Sequence, residues 1–189
     1  MLIEKAWAKL HGSYCMTRKG STLATLPHMT GTPSVRFDHN HLEDLEAFWK
    51  TIKDADSRNY VVTGSTYETC LNQGGPEMRR MGIVSGHSYS LLSTHAFKHA
   101  GQQVKLLKLR NPHGNGEWEG DWSDASDKWT PKLRQQLRHQ HEAEKISDGN
   151  DSAVPIEQCY EYVTNYIFFI FKCLALCFSK LSLICSFFC

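Results

Sequence analysis

The fold of this chain is decided by residues 82–129, which read GIVSGHSYSLLSTHAFKHAGQQVKLLKLRNPHGNGEWEGDWSDASDKW. Two strand-like runs lie in this stretch, Ser88–Leu92 and Val104–Leu109, and a glycine-containing segment separates them. Runs of this kind on either side of such a segment predict an antiparallel hairpin with a long loop. His87 then lies at the mouth of the first strand, and Asn111 lies just past the end of the second.

The segment after the hairpin combines glycines with large aromatic side chains. Trp118 and Trp122 stand between turn-forming residues, which predicts a compact loop held by indole rings. Thr130 followed by Pro131 then predicts the start of a helix, because threonine caps a helix and proline suits its first position. We expect this helix to extend to about Glu144.

Upstream of the hairpin, the pattern predicts further helices and one strand. Asn40 and Glu43 have the spacing of a capping box, and the apolar residues after them recur on one helical face. A helix over residues 41–53 is therefore expected. The other upstream predictions are an amphipathic helix over residues 2–12, a loop with at most short strands over residues 13–39, and a strand at Tyr60–Thr63.

Length and composition indicate one folded domain with appendages. The chain has 189 residues, and domains commonly contain about 100 to 200. The hydrophobic fraction of 41% and the charged fraction of 22% favour a packed core over disorder. The chain contains 21 Lys and Arg residues and 20 Asp and Glu residues. The resulting net charge of +1 gives no support to nucleic-acid binding.

The end of the sequence has a different composition from the rest. Residues 166–189 are rich in Phe and Cys, and we treat them as an apolar tail that follows a domain over residues 1–165. Lys172 and Lys180 interrupt the apolar run. Contact with a membrane is therefore expected only if this tail inserts.

The cysteines and histidines bear on the compartment and on metals. Seven cysteines are an odd number, and no secretory leader follows Met1, which together favour a reducing, cytoplasmic setting. Histidine pairs such as His95 and His99 lack the cysteine or carboxylate partners that complete a tetrahedral site. No zinc is expected.

Two motifs carry a resemblance to a known family. The runs GHSYSLL and VKLLKLRNPHGNGEWEGDWSDASDKW resemble the calpain family of papain-like cysteine endopeptidases, and LIEKAWAKLHGSY resembles the start of the second half of the calpain protease core. The resemblance covers residues 2–163. It implies an α+β fold, in which an antiparallel sheet with flanking helices forms half of a papain-like core.

The resemblance also implies roles for two side chains of a Cys/His/Asn triad. His87 would be the base that takes the proton of a thiol, and Asn111 would orient the imidazole by accepting from its second ring nitrogen. In papain-like enzymes the cysteine lies about 130 to 150 residues before the histidine, but only 86 residues precede His87. Neither Cys15 nor Cys70 has a nucleophile motif around it.

Two interpretations of the function follow. The first is a partial calpain-type endopeptidase domain, inactive alone, which would act on protein or peptide substrates once a cysteine-bearing half or another calpain subunit joins it. The second is a non-catalytic module of the same fold that binds a peptide or a protease. The sequence does not name the substrate.

The resemblance implies a calcium site as well, with one departure from the family pattern. The implied ligands are the carboxylates of Glu117 and Asp124, the backbone carbonyl of Ile146, Asp148, and Asn150, which stands where the family has glutamate. Calcium prefers six to eight oxygen ligands and gains from carboxylate charge, so a neutral amide predicts weak binding. A separate departure concerns the active-site cleft, where His113 replaces a tryptophan that walls the cleft in the family.

Overall fold

The computed structural model of the protein describes residues 2–17, 20, 22–38, 41–66, 80–111, 118–139, 150–155 and 166–171. The predicted α+β class is confirmed. The helices are α1 (Leu2–Leu10), α2 (Thr22–Thr30), α3 (Leu45–Ser57) and α4 (Pro131–His139), with a 3₁₀ turn at Cys15–Thr17. The strands are β1 (Ser34–Asp38), β2 (Val61–Thr66), β3 (Ser88–His99), β4 (Gln102–Asn111), β5 (Asn150–Pro155) and β6 (Tyr166–Phe171).

The strands form one antiparallel sheet in the order β1, β6, β2, β3, β4, β5. The predicted hairpin of β3 and β4 lies inside this sheet, between β2 and β5, but the prediction of a long loop was wrong. The strands continue until His99 faces Gln102, and only Ala100 and Gly101 connect them. Both connecting residues have positive φ, 49° and 81°, as a tight hairpin turn whose twist matches the strands requires.

Apolar side chains pack against both faces of the sheet at β4. On one face, α3 contributes Phe48, Trp49 and Ile52, which share a buried cluster with Leu107 and Leu109 of β4. We call this cluster the α3 core. On the other face, Leu106 of β4 packs with Trp122 of the following loop and Leu133 of α4, and we call this cluster the α4 core. Adjacent residues of β4 enter different cores because successive strand residues point to opposite faces.

Local polar contacts define where two of the helices begin. The carboxylate of Asp44 accepts the backbone N–H groups of Glu46 and Ala47, at 2.8 and 3.0 Å, so Asp44 caps α3. The predicted start at residue 41 was therefore too early. For α4 the predicted cap is confirmed, because Thr130 Oγ1 accepts the backbone N–H of Leu133 at 3.2 Å.

The region that the sequence presented as a loop contains a helix. Residues Thr22–Thr30 form α2, in which Leu26 is fully buried, and Ser34–Asp38 form the short strand β1. The helix was missed because Pro27 lies inside it and threonines occupy several of its positions. Both residue types are poor helix formers, so local propensity gave no helical signal.

The apolar tail begins with a strand of the sheet. β6 lies between β1 and β2 and pairs with both, with Tyr166 opposite Thr66 and Phe171 opposite Val61. The division of the chain after residue 165 stays a prediction, and residues 172–189 lie outside the described residues. Within the described part of the chain, no helix has the length and apolar character needed to cross a membrane.

Candidate active site

His87 is held at the entrance to β3, as predicted. It directly precedes Ser88, the first residue of that strand, and it follows Gly86, whose φ is +64°. Residues with a Cβ rarely adopt this conformation, so glycine permits the sharp turn into the strand. The His87 side chain is 9% exposed, which places the imidazole at the margin of the folded interior.

Asn111 is the last residue of β4, whereas the sequence predicted a position just past the end of the strand. Its side chain is buried, at 3% exposure. Its Oδ1 lies 2.8 Å from His87 Nε2, although the two residues are 24 positions apart. A carbonyl oxygen can only accept, so Nε2 carries the proton in this pair. The bond therefore orients the ring and assigns proton transfer to the other nitrogen, Nδ1.

The hairpin brings these two residues together. His87 precedes β3 and Asn111 ends β4, so antiparallel pairing of the two strands returns Asn111 to the end of the sheet where His87 lies. The pairing holds Ser90 opposite Arg110. The register of this one hairpin therefore brings His87 and Asn111 into contact although they are far apart in sequence.

Tyr89 supports the imidazole from the same side of β3. Its ring meets the His87 ring edge to face, with centroids 4.9 Å apart and an interplanar angle of 86°. Burial raises the pKa of the Tyr89 phenol above its ordinary value of 10.0, and the hydrogen bond from the Val84 amide partly opposes that rise. The phenol is therefore neutral around physiological pH, and its hydroxyl can accept the Val84 N–H at 2.9 Å.

The described part of the glycine- and tryptophan-rich loop begins at Trp118 and contacts the segment that precedes His87. Trp118 is 4% exposed, belongs to the α3 core, and donates its indole N–H to the carbonyl of Asp121 at 2.7 Å. A Cβ at Gly120 would overlap the Trp118 indole, so this position requires glycine. The Glu119 N–H donates to the carbonyl of Met81, which ties the loop to the segment that leads to His87.

Of the seven cysteines, one lies within the described residues. Cys15 is a free, exposed thiol in the 3₁₀ turn that lies against α1. Cys70 lies outside the described residues, as does His113. The dismissal of both cysteines as nucleophiles therefore stays a prediction.

The predicted calcium ligands fall mostly outside the described part of the chain. Glu117, Ile146 and Asp148 lie there, and Asn150 is described only as the first residue of β5, opposite Asn111. Asp124 is exposed, and its backbone carbonyl accepts from Arg134 at 2.9 Å. No group of three or more His, Cys, Asp and Glu side chains suited to a metal was found among the described residues, so the site stays a prediction.

Comparison with known proteins shows the family of this chain. Residues 1–151 match the family described as Calpain family cysteine protease. The chain belongs to the calpain family. Among related proteins, Calpain-9 of Rattus norvegicus is 35% identical over 150 residues, which are 78% of this chain and 21% of that protein. The Calpain-1 catalytic subunit of Bos taurus is 30% identical over 151 residues, which are 78% of this chain and 20% of that protein.

Another relative matches over a somewhat shorter stretch of the chain. Calpain-14 of Homo sapiens is 36% identical over 128 residues, which are 68% of this chain and 18% of that protein. The chain thus spans about a fifth of the length of the calpains it matches. Family membership is shown over most of this chain, whereas the activity of a whole calpain belongs to a protein several times longer.

Thr66 and Trp118 were not predicted as site residues. Trp118 was expected only to anchor a loop, and its place in the α3 core follows from the fold of that loop back toward Met81. Thr66 ends β2, and its N–H donates to the His87 carbonyl at 2.8 Å. No sequence signal marks this contact, because 21 residues separate the two positions.

Proposed function

We propose that this chain carries the histidine and asparagine of a calpain-type cysteine endopeptidase site, whose nucleophilic cysteine comes from a second polypeptide segment. The observation that carries the proposal is the bond of 2.8 Å between His87 Nε2 and Asn111 Oδ1. Both side chains are buried, at 9% and 3% exposure. Burial shields this bond from competing water, so the imidazole keeps one orientation.

In the proposed reaction, His87 acts through Nδ1. It takes the proton of the cysteine thiol, and the resulting thiolate attacks the carbonyl carbon of a peptide bond. His87 then gives that proton to the departing amine as the C–N bond breaks. Water, deprotonated by the same nitrogen, releases the acyl group from sulfur, and the thiol regains its proton. Throughout this cycle Asn111 stabilises the orientation of the ring.

The proposal also identifies the kind of partner that completes the site. Several large apolar side chains of the described residues are strongly exposed in and around α1, including Leu2 at 86%, Leu10 at 68% and Met16 at 68%. A cysteine-bearing half or another calpain subunit that covered these side chains would remove apolar surface from water. The substrate class that goes with the reaction is protein or peptide.

The test uses the full chain of 189 residues with and without a cysteine-bearing calpain core half. A fluorogenic peptide measures turnover, and a thiol-directed peptidyl epoxide measures a positioned thiolate. We expect neither turnover nor labelling for the chain alone, because a base without a nucleophile forms no acyl intermediate. With the complement, turnover should appear.

Variants then test whether turnover uses the proposed pair. His87→Ala should lower the restored rate by about 10² to 10⁴, the usual contribution of a general base, and Asn111→Ala should lower it less. His95→Ala is the matched control, since His95 is also buried on β3 but contacts Ser93. Turnover by the chain alone that is lost on changing Cys15 or Cys70 would contradict the proposal.

The same experiment tests the alternative function, a non-catalytic module that binds a peptide or a protease. A complement that binds this chain tightly without restoring turnover, and a chain that binds peptide without cleaving it, would favour the non-catalytic module. Binding would be followed by calorimetry. The His87→Ala variant would then bind as the unchanged chain does.

Calcium binding is part of the proposal only as a weak interaction. The residues that would hold the ion are Glu117, Asp124 and Asp148, with the Ile146 carbonyl and the Asn150 amide. Calorimetry should show weak binding that Asp148→Ala abolishes, because each carboxylate contributes charge and oxygen ligands. Tight binding that survives this change would place the ion elsewhere.

We also propose a cytoplasmic location. The exposed free thiol of Cys15 suits a reducing compartment, where such groups stay unpaired. Fractionation of cells with an antibody against the chain tests this, and recovery from the secreted fraction would contradict it.

A further inference from the structure

The turn that carries His87, residues 84–87, is bound on two sides by hydroxyl groups. The hydroxyl of Thr66 lies within hydrogen-bond distance of the Val84 carbonyl at 2.7 Å, the His87 N–H at 3.0 Å and the His87 carbonyl at 3.2 Å. The hydroxyl of Tyr89 accepts the Val84 N–H at 2.9 Å. We call this set of contacts the His87 clamp.

The hydrogen-bond capacity of Thr66 assigns a direction to each contact. A hydroxyl has one proton to donate, so it donates to the nearer acceptor, the Val84 carbonyl, and accepts the His87 N–H with a lone pair. The His87 carbonyl is already served by the Thr66 backbone N–H at 2.8 Å. One side chain thus satisfies polar groups at both ends of the turn.

These contacts act on the backbone that sets the direction of the imidazole. The His87 ring leaves a Cα whose own N–H and C=O both bond to Thr66, and Gly86 gives the turn a positive φ of +64°. Thr66 is 6% exposed and His87 is 9% exposed, so water competes little for these bonds. A shift of this backbone would move Nε2 away from Asn111 Oδ1, because Asn111 is itself fixed at the end of β4.

The adjacent residue of β2 reinforces the same register. Ser65 pairs with Ser88 in the sheet, and their Oγ atoms lie 2.8 Å apart. β2 therefore contacts His87 through Thr66 and the next residue through Ser65. The position of the imidazole therefore depends on β2, a strand that is distant in sequence from both His87 and Asn111.

We infer that Thr66 is a positioning residue for His87, which holds the imidazole in register with Asn111 through the backbone of the His87 clamp. The inference rests on the proposed function, since it concerns how the same base is oriented. It predicts that the hydroxyl of Thr66, rather than its shape, determines how long the His87 Nε2–H stays bonded.

The chain offers a matched pair of substitutions on one strand. Thr66→Val removes the hydroxyl and keeps the shape, whereas Thr66→Ser keeps the hydroxyl. Thr63→Val is the control, because Thr63 is 2% exposed on the same strand and its Oγ1 has no hydrogen-bond partner within the described residues. Tyr89→Phe removes the second hydroxyl and tests the clamp without altering Thr66.

The experiment is imidazole NMR on the full chain labelled with ¹⁵N-histidine, in which the Nε2–H signal of His87 is assigned by its loss in His87→Ala. We expect one protected Nε2–H in the unchanged chain. Thr66→Val should speed its exchange with water about tenfold, the effect of losing one buried hydrogen bond, while Thr66→Ser and Thr63→Val should leave it within about twofold. Tyr89→Phe should speed it by a smaller factor.

The backbone amide of Leu107 serves as an internal reference, since it reports opening of the sheet. Faster exchange of the imidazole with an unchanged reference supports positioning, and an equal change in both signals would overturn it as mere loss of stability. If Thr66→Val did not fold, a change of the Nε2–H in Tyr89→Phe would support the clamp and its absence would overturn it. A missing Nε2–H in the unchanged chain would refute the proposed function together with the inference, whereas a present signal that Thr66→Val leaves untouched refutes the inference alone.

Discussion

Two neighbouring leucines of β4 test the two-sided core directly. Leu107 enters the α3 core and Leu106 enters the α4 core, and both are 0% exposed. Replacing either with alanine removes three buried carbons, which costs about 2.4 kcal/mol at about 0.8 kcal/mol for each carbon. The cavity left behind raises the expected loss in the free energy of unfolding to about 2 to 5 kcal/mol.

Urea unfolding, followed by tryptophan fluorescence, measures both variants against the unchanged chain. The midpoint should fall by a similar amount in each, with an unchanged dependence on urea concentration, because the surface exposed on unfolding stays nearly the same. Leu10→Ala is the control, since Leu10 of α1 is 68% exposed and its loss should change the free energy by less than about 0.5 kcal/mol.

The comparison also separates the site from the opposite face. Asn111 and Leu109 share the α3 side of β4 with Leu107, so Leu107→Ala should loosen the contact between Asn111 and His87, and Leu106→Ala should affect it less. A loss below about 0.5 kcal/mol in Leu106→Ala would refute the α4 core as a stabilising layer. Equal effects of both changes on the His87 imidazole signal would refute the assignment of faces.

Three further changes test local features of the structure. Gly120→Ala should lower the free energy of unfolding by about 1 to 3 kcal/mol in urea titrations, because its methyl group would overlap the Trp118 indole. Asp44→Ala should lower the free energy of unfolding by about 1 kcal/mol, because it removes the cap of α3. Glu43→Ala should change it by less than about 0.5 kcal/mol. A larger loss in Glu43→Ala than in Asp44→Ala would favour the predicted capping box. Because burial raises the pKa of Tyr89 in the folded state, the unfolded chain loses this proton first, so stability present below pH 10.0 falls as the pH rises above it. Tyr89→Phe should lessen this fall in pH-dependent unfolding, and an identical alkaline slope would contradict it.

The features that could be predicted from sequence are those that short-range physics decides. The central hairpin follows from two strand-like runs, and α4 follows from Thr130 before Pro131, since a cap and a first-turn proline act within a few residues. His87 and Asn111 were singled out from a family motif, which predicted a joint role for them without giving their geometry. The calpain family itself was identified from the same motifs.

Choices between nearby local signals were less predictable. Asn40 with Glu43 and Asp44 alone both provide helix-capping chemistry, and the structure uses Asp44. α2 was missed because its stability comes from burial of Leu26 rather than from helix propensity. The hairpin loop was predicted too long because residues 93–99 mix polar and apolar side chains at the partly exposed end of the sheet.

The amino-acid sequence by itself determined the pairing of two strands into the hairpin and the Thr130 cap of α4, and the family resemblance singled out His87 and Asn111. Tertiary structure alone decided that β6 enters between β1 and β2, that adjacent leucines of β4 enter different cores, and that Thr66 binds the turn of His87. The physical reason is the range of the interactions. Caps, turns and alternation act between close neighbours, whereas strand order and the His87 clamp join residues whose separation along the chain carries no local signal.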